Sequence, residues 1–351
     1  MLSLLRFVFS MFVVLAHLAE DVRFFSHWGV FAVFGFYVIS GYLMAVVLNQ
    51  TYSFNFAAFA LNRSLRLFPA YLLVAAATLL AIVLQPGAGD FHIAWGFDPG
   101  ARDVLANALI VPFEFVEAPF KLVPPAWSVA AELINYFLLW LIIARSRKLA
   151  IVAVLLALAF HVLSLAQGAG WEARYFPYYA AILPFALGAC LYFFKGSLAA
   201  LKEGQVKAGV LVASLVWGAN LVLCGFLSRP GGRLFDLFFY LNLAALVVII
   251  GGVVILPVRG KPVRIAKIEK LLGDLAYPVF LCHWLVGFEI SLYLLDGQKR
   301  GLVLFALSVI PILILSLALI GIESRWIVPL RNRIRQGAQG RPREALQGAA
   351  I

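Results

Sequence analysis

Charge is scarce in this chain. Only 13% of its 351 residues are Asp, Glu, Lys or Arg, while 64% are hydrophobic, and mean hydropathy is +0.97. A soluble domain sits nearer half apolar, so a soluble enzyme is excluded. Cysteine is scarce too. Cys190, Cys224 and Cys282 fall in apolar stretches with neither the spacing of a disulfide framework nor that of a thiolate metal site. No pair of His or Cys has metal-ligand spacing, and neither a Gly-rich phosphate loop nor a Gly-x-Ser-x-Gly elbow is present. Metal-site and serine-elbow chemistry are therefore not expected. There is no convincing internal repeat and no polar stretch long enough for a separate soluble domain.

What is there is a succession of apolar runs of bilayer-spanning length. Ten are read at about 3–20, 28–48, 68–85, 126–144, 149–166, 177–194, 208–227, 235–256, 272–295 and 301–321. The expected fold is all-α, a polytopic helical membrane protein with about ten transmembrane helices. Residues 1–330 form one transmembrane domain, and 331–351 a basic tail, disordered from Gln336 onward. Arg6, the apolar run after it and the small residues near Ala19 mimic a signal peptide. A single charge and the many later spans favour a retained first helix.

The net charge of +11 does not indicate nucleic acid, because the basic residues cluster in short loops and in the tail. With the N-terminus in the cytoplasm, 20 basic residues fall inside and 8 outside. Both termini are thus expected to be cytoplasmic. The long outside segment 86–125 is acidic and holds Pro86, Pro99, Pro112, Pro119, Pro124 and Pro125, with a short interfacial helix expected at 101–111.

Against so little charge, each ionisable group inside a span is a functional candidate. Arg6 and His17 are eleven residues apart on the first helix, nearly three turns, so they share one face about 16 Å apart along the axis. Imidazole is the side chain best suited to exchange a proton near neutral pH. Glu20 and Asp21, one turn on, are candidates to orient it. Arg63-x-x-Arg66, if helical, aligns two guanidinium forks suited to phosphate or carboxylate; the competing reading is topology-setting charge against lipid phosphate. Gly35 to Tyr42 in the second span suits close helix packing, with Ser40 able to bond a neighbour. Ser128, Glu132 and Tyr136 share a face at i, i+4, i+8 behind Trp127, and Glu132 needs a partner or a proton there. In the ninth span Asp274, Tyr277, Pro278, His283 and Glu289 interrupt the apolar sequence. His283 reads either as a second site residue or as a satisfied core histidine. His27, His92 and His161 read as peripheral.

Together these stretches resemble the acyltransferase-3 family of integral membrane acyltransferases. The resemblance rests on Arg6 and His17, on Phe36 to Tyr42, and on Arg63 and Arg66 running into Phe68-Pro69. It rests further on Trp127-Ser128 with Glu132 and Tyr136, on Leu272 to His283 through Tyr277-Pro278, and on Glu323. It covers nearly the whole chain. It implies transfer of an acyl group, usually acetyl, from cytoplasmic acyl-CoA to a sugar hydroxyl of a cell-surface or lipid-linked glycan. Location would be the bacterial inner membrane, among membrane lipids. Acetyl-CoA would be a co-substrate, with no permanently bound cofactor. His17 would match the catalytic histidine, acting as base or as acyl carrier, with Glu132 a second catalytic group. Arg63 and Arg66 would match the donor-side arginines, with Arg6, Ser40, Trp127, Ser128, Tyr136, Tyr277 and His283 in support. Glu323 departs from the family pattern in being followed by Ser324-Arg325. The rival class is a proton-coupled secondary transporter or glycan flippase, which intramembrane Arg, His and Glu also suit. A third is a non-catalytic membrane subunit, for which His17 would be dispensable.

Overall fold

The computed structural model describes residues 1–19, 23–85, 87–232, 234–256 and 262–339. Among these there are twelve α-helices and no strand. They are α1 Leu2–Leu18, α2 Ser26–Val47, α3 Phe56–Leu84, α4 Ala88–Phe91, α5 Ala101–Leu109 and α6 Ala126–Leu141. The rest are α7 Arg147–Ala166, α8 Tyr178–Ala199, α9 Glu203–Leu227, α10 Phe235–Ile255, α11 Val263–Leu294 and α12 Leu302–Gln339. Eight are long and apolar enough to cross a membrane, and the shorter α1 and α6 are apolar as well. The molecule is a polytopic helical membrane protein. α5 falls where the short interfacial helix was expected.

Three helices run well past the apolar runs that announced them. α3 starts at Phe56 because Asn55 caps it, its side chain accepting from the Ala58 N–H at 3.1 Å. Arg63 and Arg66 therefore sit on a helix, three residues apart on one face. α11 starts at Val263, not near 272. α12 continues to Gln339, so residues 331–339, assigned to the tail, are helical; 340–351 lie outside the described residues. The cause is common to all three: hydropathy marks the part of a helix that lipid touches and is blind to charged helix ends.

α2 and α11 are the central elements, with 67% and 78% of their most apolar windows buried, whereas α7 and α9 bury only 22% and turn apolar side chains outward. That inversion is what a lipid-facing perimeter requires. α1 lies between α2 and α11, and α2 packs on α8. The α2–α8 contact is backbone on backbone. A Cβ added at Gly41 would stand 2.1 Å from the Phe185 carbonyl oxygen, and one at Gly188 2.1 Å from that of Val38. Only glycine allows this approach.

The long segment between α3 and α6 is ordered by two buried side chains of α5. Asp103 accepts from the N–H groups of Gly100 and Phe120, each at 2.9 Å. Asn107 accepts from Leu122 N–H at 2.8 Å and donates to the Phe120 carbonyl at 2.9 Å. These bonds hold Pro124, Pro125 and the start of α6 in place.

Candidate active site

Two cavities inside the bundle gather most of the candidate residues. The first, of about 300 Å³, is lined by Arg6, Ser40, Arg63, Arg66, Glu132, Tyr136, Tyr277, Arg331 and Arg335 among apolar neighbours. The second, of about 540 Å³, is lined by His17, Ser26, Trp127, Ser128, Trp171, Tyr175, Phe176 and Arg229, with Pro125 and Pro230. Val33, Ser128 and Phe280 belong to both walls. The cavities therefore abut across these three side chains. α1 runs beside both, so that Arg6 lines one and His17 the other.

His17 is held by a partner from α11. Its Nδ1 lies 2.9 Å from His283 Nε2, with the ring planes within 14° of each other, and His283 Nδ1 lies 2.8 Å from the Phe280 carbonyl oxygen. A carbonyl can only accept, so with both rings neutral His283 Nδ1 carries the proton and donates it. Its Nε2 must then accept, and His17 Nδ1 must donate. That leaves His17 Nε2 as the unprotonated nitrogen of a ring lining the second cavity, the state a general base needs. His283 and the Phe280 carbonyl thus set the tautomer of His17, as hydrogen-bond partners behind metal-bound histidines do. Trp284 stacks on His17 with ring centroids 5.1 Å apart, and the Arg300 guanidinium lies 4.4 Å from the Trp284 ring centroid. His92, outside the spans, stands edge-on to Trp284 at 4.3 Å. Burial, with Arg300 and Lys121 nearby, lowers its pKa to about 4, so it adds no charge beside His17.

Glu132 does not join His17. It lines the arginine cavity, where Ser40 Oγ donates to its Oε1 at 2.8 Å and the Tyr136 hydroxyl donates to the same oxygen. Glu132 and Tyr136 share a face, as their spacing requires, and the side chain that bonds His17 is His283. Glu20 and Asp21 lie outside the described residues. Ser128 lies where the cavities meet; its hydroxyl donates to the Pro125 carbonyl at 2.9 Å, and its own carbonyl accepts from the Tyr37 hydroxyl at 3.1 Å. Tyr277 donates to the Leu67 carbonyl at 3.0 Å, tying α11 to α3. Trp127 forms a wall of the His17 cavity with Tyr175 and Phe176, 5.2 and 4.7 Å away between ring centroids.

The arginine cavity is strongly positive, with five arginines facing one carboxylate. The partners of Arg63 are neutral: Nη2 donates to Asn62 Oδ1 at 3.2 Å, Nη1 approaches Met44 Sδ at 3.8 Å, the Tyr52 hydroxyl is a further partner, and buried Nε has none among the described residues. Glu323 acts on Arg66 and Arg331 and Asp274 on Arg6, yet arginines still outnumber carboxylates, and an excess of guanidiniums in an apolar bundle is costly unless an anion completes it. Sequence reading missed Arg331 and Arg335, which lie in the expected tail, and Phe280, which looks like ordinary core. It also missed the aromatic wall of Trp171 and Tyr175 around the second cavity.

The chain belongs to the acyltransferase-3 family: residues 2–321 match that family's acyltransferase domain. No curated protein and no solved structure matches it. The protein is thus an acyltransferase built as a polytopic helical membrane domain, and of the positions that suggested the family, Arg6, His17, Ser40, Arg63, Arg66, Trp127, Ser128, Glu132, Tyr136 and Tyr277 line the two abutting cavities.

Proposed function

We propose that this acyltransferase moves an acetyl group from acetyl-CoA, bound in the arginine cavity, to a sugar hydroxyl in the His17 cavity. The acceptor would be a cell-surface or lipid-linked glycan, and the enzyme an O-acyltransferase of the bacterial inner membrane. The observation that carries the reading is the abutment of the cavities: an anion-seeking chamber and a chamber with a free imidazole nitrogen meet at Val33, Ser128 and Phe280. The loop-charge bias supports a cytoplasmic position for the arginine end, where acyl-CoA is made. Arg63 and Arg66 would take donor phosphate, and the thiol arm would pass Phe280. The aromatic walls of the second cavity suit the apolar face of a sugar ring.

In the reaction, His17 Nε2 takes the proton of the acceptor hydroxyl as its oxygen bonds to the thioester carbonyl carbon. The carbon–sulfur bond breaks, the sulfur leaves as thiolate, and the imidazolium returns the proton to it. The products are the sugar ester and free CoA thiol. His283 holds Nδ1 and stabilises the transient imidazolium. Glu132, fixed by Ser40 and Tyr136, offsets part of the arginine charge, which is a positioning role. The test is acetyl-CoA binding and thiol release by purified protein in nanodiscs. The reading requires binding by wild type, loss of binding in Arg63→Ala/Arg66→Ala, and loss of turnover with binding kept in His17→Ala. A well-folded wild type that ignores acetyl-CoA ends it and favours transport.

A further inference from the structure

The C-terminal end of α12 reaches back into the donor cavity. Arg331 and Arg335 both line it, one helical turn apart on the same face. They lie beyond residue 321, where the match to the family domain ends, so the family resemblance assigns them nothing.

Asn62 of α3 anchors this end. Its Nδ2 donates to the Arg331 carbonyl at 2.9 Å, while its Oδ1 accepts from Arg63 Nη2 at 3.2 Å and from Arg331 Nε at 3.4 Å. One neutral amide thus gathers two guanidiniums from helices distant in sequence and neutralises neither. Glu323 offsets part of the charge of Arg331 and Arg66; a carboxylate at position 62 would have closed the cluster, whereas the amide leaves a net positive charge for a ligand. Arg331 is half-buried and Arg335 exposed. Arg6, Arg63 and Arg66 are half-buried as well, so Arg335 alone of the five arginines is exposed and stands at the mouth of the cavity, whose inner end is the Ser128–Phe280 wall shared with the second cavity.

We propose that Arg331 and Arg335 bind the ribose 3′-phosphate of the donor. This rests on the reading of the cavity as an acyl-CoA site. Coenzyme A carries its charge in the same order, with the thioester first, the diphosphate next, and a dianionic 3′-phosphate at the far end. With the thioester at the inner wall and the diphosphate on Arg63 and Arg66, the 3′-phosphate falls to the outermost arginines. α12 then serves as a ruler that selects the complete nucleotide over donors that end at the pantetheine arm or lack the 3′-phosphate.

The experiment compares Kd for acetyl-CoA and for acetyl-dephospho-CoA, which lacks only that phosphate, on full-length protein in nanodiscs. Wild type should favour acetyl-CoA by about tenfold or more, the scale of charge-assisted hydrogen bonds to one phosphate. Arg331→Gln/Arg335→Gln should bring the two Kd values within about twofold by weakening acetyl-CoA alone. Its retained affinity for the dephospho form certifies the fold. Arg333→Gln makes the same type of charge change on an exposed side chain that does not line the cavity, and should keep the wild-type ratio. Equal Kd values in wild type, or equal loss of both ligands in the double variant, overturn the proposal and leave the donor reading standing. If monodisperse wild type binds neither form, the donor reading itself fails.

Discussion

His17 Nδ1 and His283 Nε2 lie 2.9 Å apart although 266 residues separate them in sequence. This contact, continued to the Phe280 carbonyl, decides which nitrogen of His17 is free. Removing it should cost catalysis without touching the donor site. His283→Ala should lower the rate of thiol release by about 10²–10⁴, the range for mispositioned acid–base groups, while the acetyl-CoA Kd stays within about twofold. Steady-state rates beside equilibrium binding check this; an unchanged rate would make His283 a core histidine.

The α2–α8 contact is predicted to be intolerant of a single methyl group. Gly41→Ala and Gly188→Ala each drive a Cβ into a facing backbone carbonyl, where no side chain can swing aside. Each should cost about 1–3 kcal/mol or more, seen as a lower thermal midpoint in detergent. Gly196→Ala, which meets nothing within 4 Å, should not lower it.

Asp103 is the buried anchor of the segment between α3 and α6, with two backbone N–H groups on its carboxylate. Asp103→Ala leaves the Phe120 N–H buried and unpaired, at about 1–3 kcal/mol. Faster amide exchange across residues 111–125 would register the loss; exchange unchanged from wild type would count against the anchoring role.

Glu114 gives stability a pH dependence of defined sign. Burial raises its carboxyl to about 7 from an ordinary 4.5, against the opposing pull of the Tyr178 N–H at 2.9 Å. Between those values the folded protein keeps a proton that the unfolded chain has released. The stabilising contribution is therefore present below about pH 4.5 and lost as pH rises through 7. Glu114→Gln keeps an acceptor for Tyr178 without the charge. Its thermal midpoint should exceed that of wild type at pH 8 and show a flatter decline from pH 5 to 8. Parallel profiles would contradict this.

Much of the architecture is legible from residue pattern, because a bilayer imposes a length on every apolar run and a sign on every loop. Arg6 with His17, Arg63 with Arg66, and Glu132 with Tyr136 are legible for a related reason: each pair lies on one helix, where spacing alone fixes the shared face. Contacts between helices are not. Nothing local in α11 distinguishes His283 from a histidine satisfied by its own carbonyl, and it turns out to be bonded to one while also accepting from His17. Glu132 reads from sequence only as a carboxylate needing a partner, and the packing of α2 against α6 supplies Ser40. Arg331 and Arg335 were hidden because basic composition after an apolar run reads as tail, whereas the helix continues and Asn62 holds it against α3. Asp103 reads only as one of the acidic residues of the outside segment 86–125, and its burial follows from backbone groups that no hydropathy profile sees.

The most direct measurement is thiol release from acetyl-CoA by wild type and His17→Ala in nanodiscs, with donor Kd taken on the same samples. The account predicts equal Kd and at least about a 10²-fold loss of turnover in the variant. Turnover undiminished in His17→Ala, with binding intact, would contradict it.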